Sequence, residues 1–273
     1  MMGSTVLVVT SGKGGVGKTT STAALGVALA QSGQKVVVID FDVGLRNLDL
    51  VLGAERRVVF DLINVVQGEA KLAQALIRDK RVETLSLLAA SQTRDKDALT
   101  AEGVHKVIEE LREKFDWIIC DSPAGIEKGA NLAMKYADRA LVVTNPEVSS
   151  VRDSDRIIGL LDSKTMRAEN GEKMEKHLLL TRYDPARAER GDMLKVDDVL
   201  DILAIPLIGI IPDSEEVLKA SNIGSPVTLS SPLSAPARAY ADAARRLMGE
   251  TIEIVVPTEK KTLISRLFGK RVA

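Results

Sequence analysis

Cysteine is nearly absent: Cys120 stands alone in 273 residues. A disulfide framework, a cysteine-rich zinc site and the ligand pair of an iron–sulfur cluster are therefore excluded within one chain. Cys120 lies in the apolar run Trp117-Ile118-Ile119-Cys120, which reads as the position of an inert, buried thiol. His105 and His177 are the only histidines, and neither has a ligand-spaced partner. Neither a zinc site nor a Ser-His-Asp triad is expected. Excess charge is missing too: 37 Lys and Arg face 38 Asp and Glu, a net charge of −1. A nucleic-acid binder working through an overall positive field is disfavoured, and no nucleic-acid partner is expected. Long apolar runs and a basic-then-apolar leader are both lacking, so the chain is expected in the cytoplasm. Aromatics make up only 3% of the residues, so the core must be built from Val, Ile, Leu and Ala. That composition suits a parallel sheet covered by helices.

What is present is alternation. Short β-branched runs over 5–10, 35–41, 84–89, 117–121, 139–144, 177–181 and 206–211 predict strands. Most are apolar on both faces, as strands buried on both sides are. Longer stretches over 18–32, 58–67, 98–114, 128–136, 148–162, 195–203, 215–221 and 235–249 predict helices. This order implies right-handed βαβ units and an α/β, doubly wound, mainly parallel sheet, although periodicity does not give the strand order. Gly33 suits a left-handed cap after the first helix. The expected organisation is a disordered terminus at 1–4, one domain over 5–249, a tether at 250–258 and a separate segment at 259–273.

Gly12-Lys13-Gly14-Gly15-Val16-Gly17-Lys18-Thr19 matches G-x-x-x-x-G-K-[ST] between a strand and a helix, the context the motif requires. The glycines let successive N–H groups point inward at phosphate oxygens, at a helix N-terminus that itself favours anions. Lys18 would reach the β- and γ-phosphates of ATP, and Thr19 would ligate Mg²⁺. Asp40 and Asp42 end the second predicted strand and Asp121 ends the fourth. Ligands of open parallel sheets sit beyond those strand ends, so all three acids are expected near the Mg²⁺-phosphate group. Asp121 fits a residue holding a Mg²⁺-bound water, and Asp42 one that positions or deprotonates the attacking water. A strand-terminal Asp can instead cap the turn that follows. Lys13 is a second lysine in a loop where Lys18 suffices, so it has either solvent or some other target.

With that loop, Asp40-Phe41-Asp42-Val43-Gly44-Leu45-Arg46-Asn47-Leu48-Asp49, Cys120-Asp121-Ser122-Pro123-Ala124-Gly125 and Thr144-Asn145-Pro146-Glu147, the chain resembles the deviant phosphate-loop ATPases of the MinD/ParA family, and within it the MinD branch. Ser91-Gln92-Thr93-Arg94-Asp95-Lys96-Asp97 and Ser149-Ser150-Val151-Arg152-Asp153-Ser154-Asp155-Arg156 agree, and the resemblance extends over about residues 4–271. Departures at the N-terminus, 165–167 and 230–236 touch none of these motifs. The resemblance implies a septation ATPase that dimerises around two ATP molecules, with Lys13 crossing to the partner's nucleotide. It implies that Val16 and Thr20 join the loop in binding nucleotide and that Arg182 and Asp213 meet the base. It further implies that Arg152, Asp153 and Asp155 form a docking surface for the division inhibitor MinC and the stimulator MinE; a solvated charged face is the other reading. A DNA-partitioning ATPase of the ParA kind shares the nucleotide site. The near-neutral charge opposes it, and an electron-donating relative would need a second cysteine.

The segment 260–271 carries five basic residues and no acid. On a helix, Leu263, Ile264, Leu267 and Phe268 span an arc of about 140°, with Ser265 and Arg266 outside it. A helix over 262–268 with basic flanks reads as a peripheral anchor for the anionic inner face of the cell membrane. A helix docked on its own domain and a DNA-binding tail are the alternatives. Such a piece is too short to stay helical alone in water, so one copy should bind lipid weakly and two copies with avidity.

Overall fold

In the computed structural model, residues 3–258 are described. Met1, Met2 and the residues expected to meet the membrane, Leu263, Ile264, Arg266, Leu267 and Phe268, lie outside them. Among the described residues the strands are β1 (Thr5–Thr10), β2 (Val36–Asp40), β3 (Ile77–Arg78), β4 (Leu85–Leu88), β5 (Trp117–Asp121), β6 (Arg139–Thr144), β7 (Glu175–Tyr183) and β8 (Leu207–Pro212). They form one sheet in the order β3-β4-β2-β5-β1-β6-β7-β8, parallel except for the β3–β4 pair. The helices are α1 (Lys18–Gln31), α2 (Leu48–Val51), α3 (Leu62–Val66), α4 (Leu72–Ala75), α5 (Ala101–Arg112), α6 (Lys128–Lys135) and α7 (Val148–Leu161), followed by α8 (Met166–Glu169), α9 (Pro185–Glu189), α10 (Val196–Leu203), α11 (Glu215–Asn222), α12 (Val227–Ser230) and α13 (Ala235–Leu247).

Successive side chains of a strand face opposite ways, and β1 shows the consequence. Val6 and Val8 enter the core beneath α5, α6, α7 and α10, whereas Leu7 and Val9 enter the core shared with α1 and α13. β1 pairs with β5 on one side and β6 on the other, so the chain reverses direction across the sheet at β1. The phosphate loop emerges at that switch, where such sheets open a crevice. α1 is buried almost all round because its residues are small: Gly26 lies so close to β2 that an added Cβ would meet Val38 Cγ1 at 2.8 Å.

Several expected boundaries move for local reasons. The helix expected over 58–67 begins at Leu62, because Asp61 accepts hydrogen bonds from Ile63 N and Asn64 N and caps it there. Only a 3₁₀ turn, Glu55–Arg57, precedes it. The helix expected over 98–114 starts at Ala101 behind the Thr100 cap. Gly33 adopts φ 86°, as its place after α1 suggested. Cys120 is buried, and burial pushes its thiol well above the ordinary range. His105 stacks on Tyr136 at 4.9 Å, and His177 Nε2 lies 2.8 Å from Glu175. Ser4 is tied to the domain through its carbonyl, which accepts from Arg112. Beyond α13 the chain runs back along β8: Arg246 donates to Ile208 O, Ile252 O and Glu253 O, and Ile254 packs on the core. No helix among the described residues is long and apolar enough to cross a membrane.

Candidate nucleotide site

The phosphate loop joins β1 to α1, and its glycines serve different ends. Gly15 and Gly17 stand at φ 77° and 96°, in the left-handed region that other residues enter at a cost. Gly12 is there for space: an added Cβ would lie 2.2 Å from the backbone of Asp153 in α7. Gly14 has only Ala124 Cβ near, at 3.9 Å. Val16 is buried, and its carbonyl accepts from Thr181 Oγ1 at 2.7 Å, which fastens the loop to β7.

Lys18 opens α1 with its side chain buried, donating to Ser11 Oγ at 2.8 Å. Burial lowers its pKa, opposed by the nearby Asp121 and Asp42 carboxylates. Asp121 accepts from Thr22 Oγ1 at 3.1 Å and from Thr19. Its pKa is raised, first by burial, despite those hydrogen bonds and Lys18. Thr19 and Asp42 line an open cleft of about 590 Å³ with Gly14, Gly15, Gly17, Lys18 and Thr20. The cleft also takes in Leu45, Asn47, Ser122 and Ala124, which belong to the motifs of the resemblance but were given no role, and Leu50 and Glu127, which the sequence reading did not single out.

Asp40 is placed differently from Asp42. Expected to help hold the metal, it is fully buried and turned into its own loop: Oδ1 accepts from Asp42 N at 2.8 Å, and Oδ2 from Asn47 N and Leu48 N at 3.1 Å. Three backbone donors occupy the carboxylate, so it shapes the loop that carries Asp42. Its pKa is raised by burial and by Asp121, its register partner on β5. That register places two desolvated carboxylates side by side, an electrostatic setting that a cation relieves. Hard oxygen donors at Thr19 and Asp121 fit Mg²⁺.

Arg182 and Asp213 lie far apart in sequence and meet at a second cavity of about 340 Å³. Val16, Gly17 and Thr20 form its phosphate-loop wall. Arg182 has φ 53°, at an irregularity in the β7–β8 register between Leu180 and Tyr183. It lines both cavities and so joins them. The remaining wall is Thr181, Ile211, Pro212, Ser214, four residues of α11 and the buried Tyr240 of α13, whose hydroxyl lies 3.0 Å from Ser21 Oγ of α1. No motif announces these residues, because the pocket is assembled from elements that are not local in sequence.

Lys13 is brought to neither cavity. Its Nζ points at the N-terminal end of α7, 3.1 Å from Ser149 Oγ and 3.5 Å from Glu147 Oε2, with its side chain 43% exposed. On α7, Arg152 and Asp155 face outward, whereas Asp153 is half-buried against Gly12.

Residues 7–227 match the CobQ/CobB/MinD/ParA nucleotide binding domain. The septum site-determining protein MinD of Escherichia coli K12 is 61% identical over 268 residues, covering 97% of this chain and 98% of that protein. The structure is similar to that of the MinC:MinD cell division complex of Aquifex aeolicus, with TM-score 0.83 and 44% identity over 93% of this chain and 99% of that one. It is also similar to MinD of Pyrococcus horikoshii in complex with Mg-ADP, with TM-score 0.79 and 32% identity over 89% and 96%. Phosphate loop, flanking acids, sheet order and likeness over nearly the whole length agree: this chain belongs to the CobQ/CobB/MinD/ParA nucleotide-binding family, as an ATPase of its MinD branch.

Proposed function

We propose that this ATPase is a dimerisation switch that carries a division inhibitor to the membrane. ATP and Mg²⁺ occupy the two joined cavities, phosphates on the loop and base beside Arg182 and Asp213. Lys18 and the loop amides hold the phosphates, Thr19 and Asp121 hold the metal, and Asp42 orients the attacking water from the rim of the cleft. Bound Mg²⁺ would neutralise phosphate charge. The chain's own part is to fix the triphosphate in line with a water and to supply positive charge where negative charge develops.

The observation that carries this reading is Lys13. A phosphate-loop lysine turned out of its own cleft, held only by exposed contacts worth at most about 1 kcal/mol, is free to reach another subunit's nucleotide. Two subunits facing each other across their clefts would each receive the other's lysine. Exposed Leu45 and Leu50 at the first cavity and Leu218 at the second supply apolar surface for that contact. The outward charges of α7, Arg152 and Asp155, stand beside the loop, so an inhibitor of the MinC kind and a stimulator of the MinE kind docked there would sense the dimer.

Residues 5–249 form the ATPase domain in this reading, 250–258 lead out of it, and 259–273 bind the inner face of the cell membrane. Each basic residue of that segment contributes about 1 kcal/mol near an anionic leaflet. Pairing two segments in one dimer raises affinity by ~10²–10⁴ without a new contact. The test is sedimentation with anionic vesicles in ATP, in ADP and without nucleotide. Binding is expected with ATP alone, and equal binding in all three overturns the switch. Removing residues 262–273 is expected to abolish sedimentation and leave ATP affinity unchanged; persistent sedimentation rejects the anchor.

Asp42→Ala separates chemistry from assembly. Loss of a water-positioning carboxylate is expected to lower stimulated hydrolysis by about 10²-fold or more. The variant should still dimerise and remain on vesicles in ATP, because Asp42 is not needed to hold phosphate. Ordinary turnover removes its assigned role.

A further inference from the structure

The wall of the second cavity formed by α11 is weakly anchored. Of its eight residues only Ala220 is buried, yet Glu215, Val217, Leu218 and Ser221 face the cavity. Core packing therefore holds this helix only through Ala220 and the partly buried Val217, and the rest of its placement is set by its ends. The N-terminal end follows Asp213 directly, with Ser214 Oγ accepting from Glu216 N.

The C-terminal end is fixed by contacts from two distant parts of the chain. Gly224, at φ 63°, meets Gly53, also at φ 63°, just beyond the end of α2. A Cβ on Gly53 would lie 2.6 Å from Gly224 O, and one on Gly224 would lie 2.8 Å from Gly53 Cα. Two helix C-termini thus touch backbone to backbone, where unpaired carbonyls collect. Arg81 satisfies one from each side, donating from Nη1 to Gly224 O at 3.0 Å and from Nη2 to Leu52 O at 2.7 Å. Asp79 aims the guanidinium, accepting from Nε at 3.2 Å and from Nη2 at 2.7 Å. Both residues come from the turn between β3 and β4, at the far edge of the sheet.

We propose that Arg81 is a positioning residue for nucleotide binding: by joining the ends of α2 and α11 it sets the width of the nucleoside pocket without touching the ligand. This rests on the reading of the second cavity as the place of the base. The phosphate loop is fastened independently, through Val16 and Thr181. α2 reaches the phosphate cleft only with the apolar side chains Leu50 and Val51, so loss of Arg81 should affect the adenosine end and leave the phosphate end alone.

The probes are ADP and inorganic tripolyphosphate, each titrated with Mg²⁺ into the full chain. With the end of α11 no longer held, affinity for ADP is expected to fall about tenfold in Arg81→Ala. Tripolyphosphate affinity is expected to stay unchanged. Arg81→Lys should fall between, since one ammonium cannot span both carbonyls with the geometry of the guanidinium fork. The ratio of the two affinities is read within each variant, so a general loss of folded protein does not move it. Asp79→Asn gives the same readout more gently should Arg81→Ala fold poorly. An unchanged ratio in the variants overturns the role of Arg81. A wild-type protein that binds ADP no better than tripolyphosphate overturns instead the assignment of the base pocket.

Discussion

Lys13→Ala is expected to lower lipid- and partner-stimulated ATP hydrolysis by ~10³-fold or more, the scale of a cationic side chain supplied in trans to a transferring phosphoryl group. Fold and resting nucleotide affinity should hardly change, because the contacts of Lys13 with Glu147 and Ser149 are exposed. ATP-dependent dimerisation should disappear with it, read by size exclusion with a non-hydrolysable ATP analogue. Mixing gives the decisive form of the test. In a heterodimer of Lys13→Ala and Asp42→Ala subunits, one site combines an intact Asp42 with a lysine arriving from its partner, and is complete. Hydrolysis that neither variant supports alone is then expected from an equal mixture, in heterodimers held together by the lysine of the Asp42→Ala subunit. Were Lys13 to serve its own nucleotide, each site would lack one residue and mixing would restore nothing.

The parts of this site legible in the sequence are those whose cause is local. The strands over Thr5–Thr10, Trp117–Asp121 and Arg139–Thr144 fall where the apolar runs predict, because each is buried on both faces and its run is apolar between the end residues. The phosphate loop is legible for the same reason: eight consecutive residues carry its chemistry. The two-residue β3 and the four-residue α2 contain too few positions to show a period, yet β3 leads into the turn that carries Arg81, and α2 lines the cleft. Asp40 and Asp42 show the limit most clearly. They stand two residues apart at one strand end, and only the path of the loop back over Asp40 separates a buried capping carboxylate from one at the cleft. Arg182 is similar: its left-handed backbone depends on how β7 pairs with β8, which no residue within reach of it in sequence determines.

Gly12→Ala tests a coupling that the phosphate-loop motif alone does not disclose. Four glycines invite a single explanation, freedom of the backbone, but Gly12 and Gly14 have no left-handed φ. At Gly12 the limit is the backbone of α7, with Asp153 C and O both 2.2 Å from where a Cβ would sit, far inside contact distance. Backbone cannot yield as a side chain tip can, so either the loop or α7 must move. Overpacking of this kind costs about 1–3 kcal/mol, sometimes more. A chain of this size would lose roughly 2–5 °C in melting midpoint. Gly14→Ala is the matched control: its Cβ meets only Ala124 at 3.9 Å, and the midpoint should stay close to wild type. The displaced helix carries Glu147 and Ser149, which hold Lys13, and the outward Arg152 and Asp155. Gly12→Ala should therefore weaken both nucleotide-dependent dimerisation and docking of the division inhibitor, whereas Gly14→Ala should spare docking. Equal melting midpoints for the two variants would mean that the loop absorbs the extra carbon without α7, and the close approach would not couple nucleotide state to the docking helix.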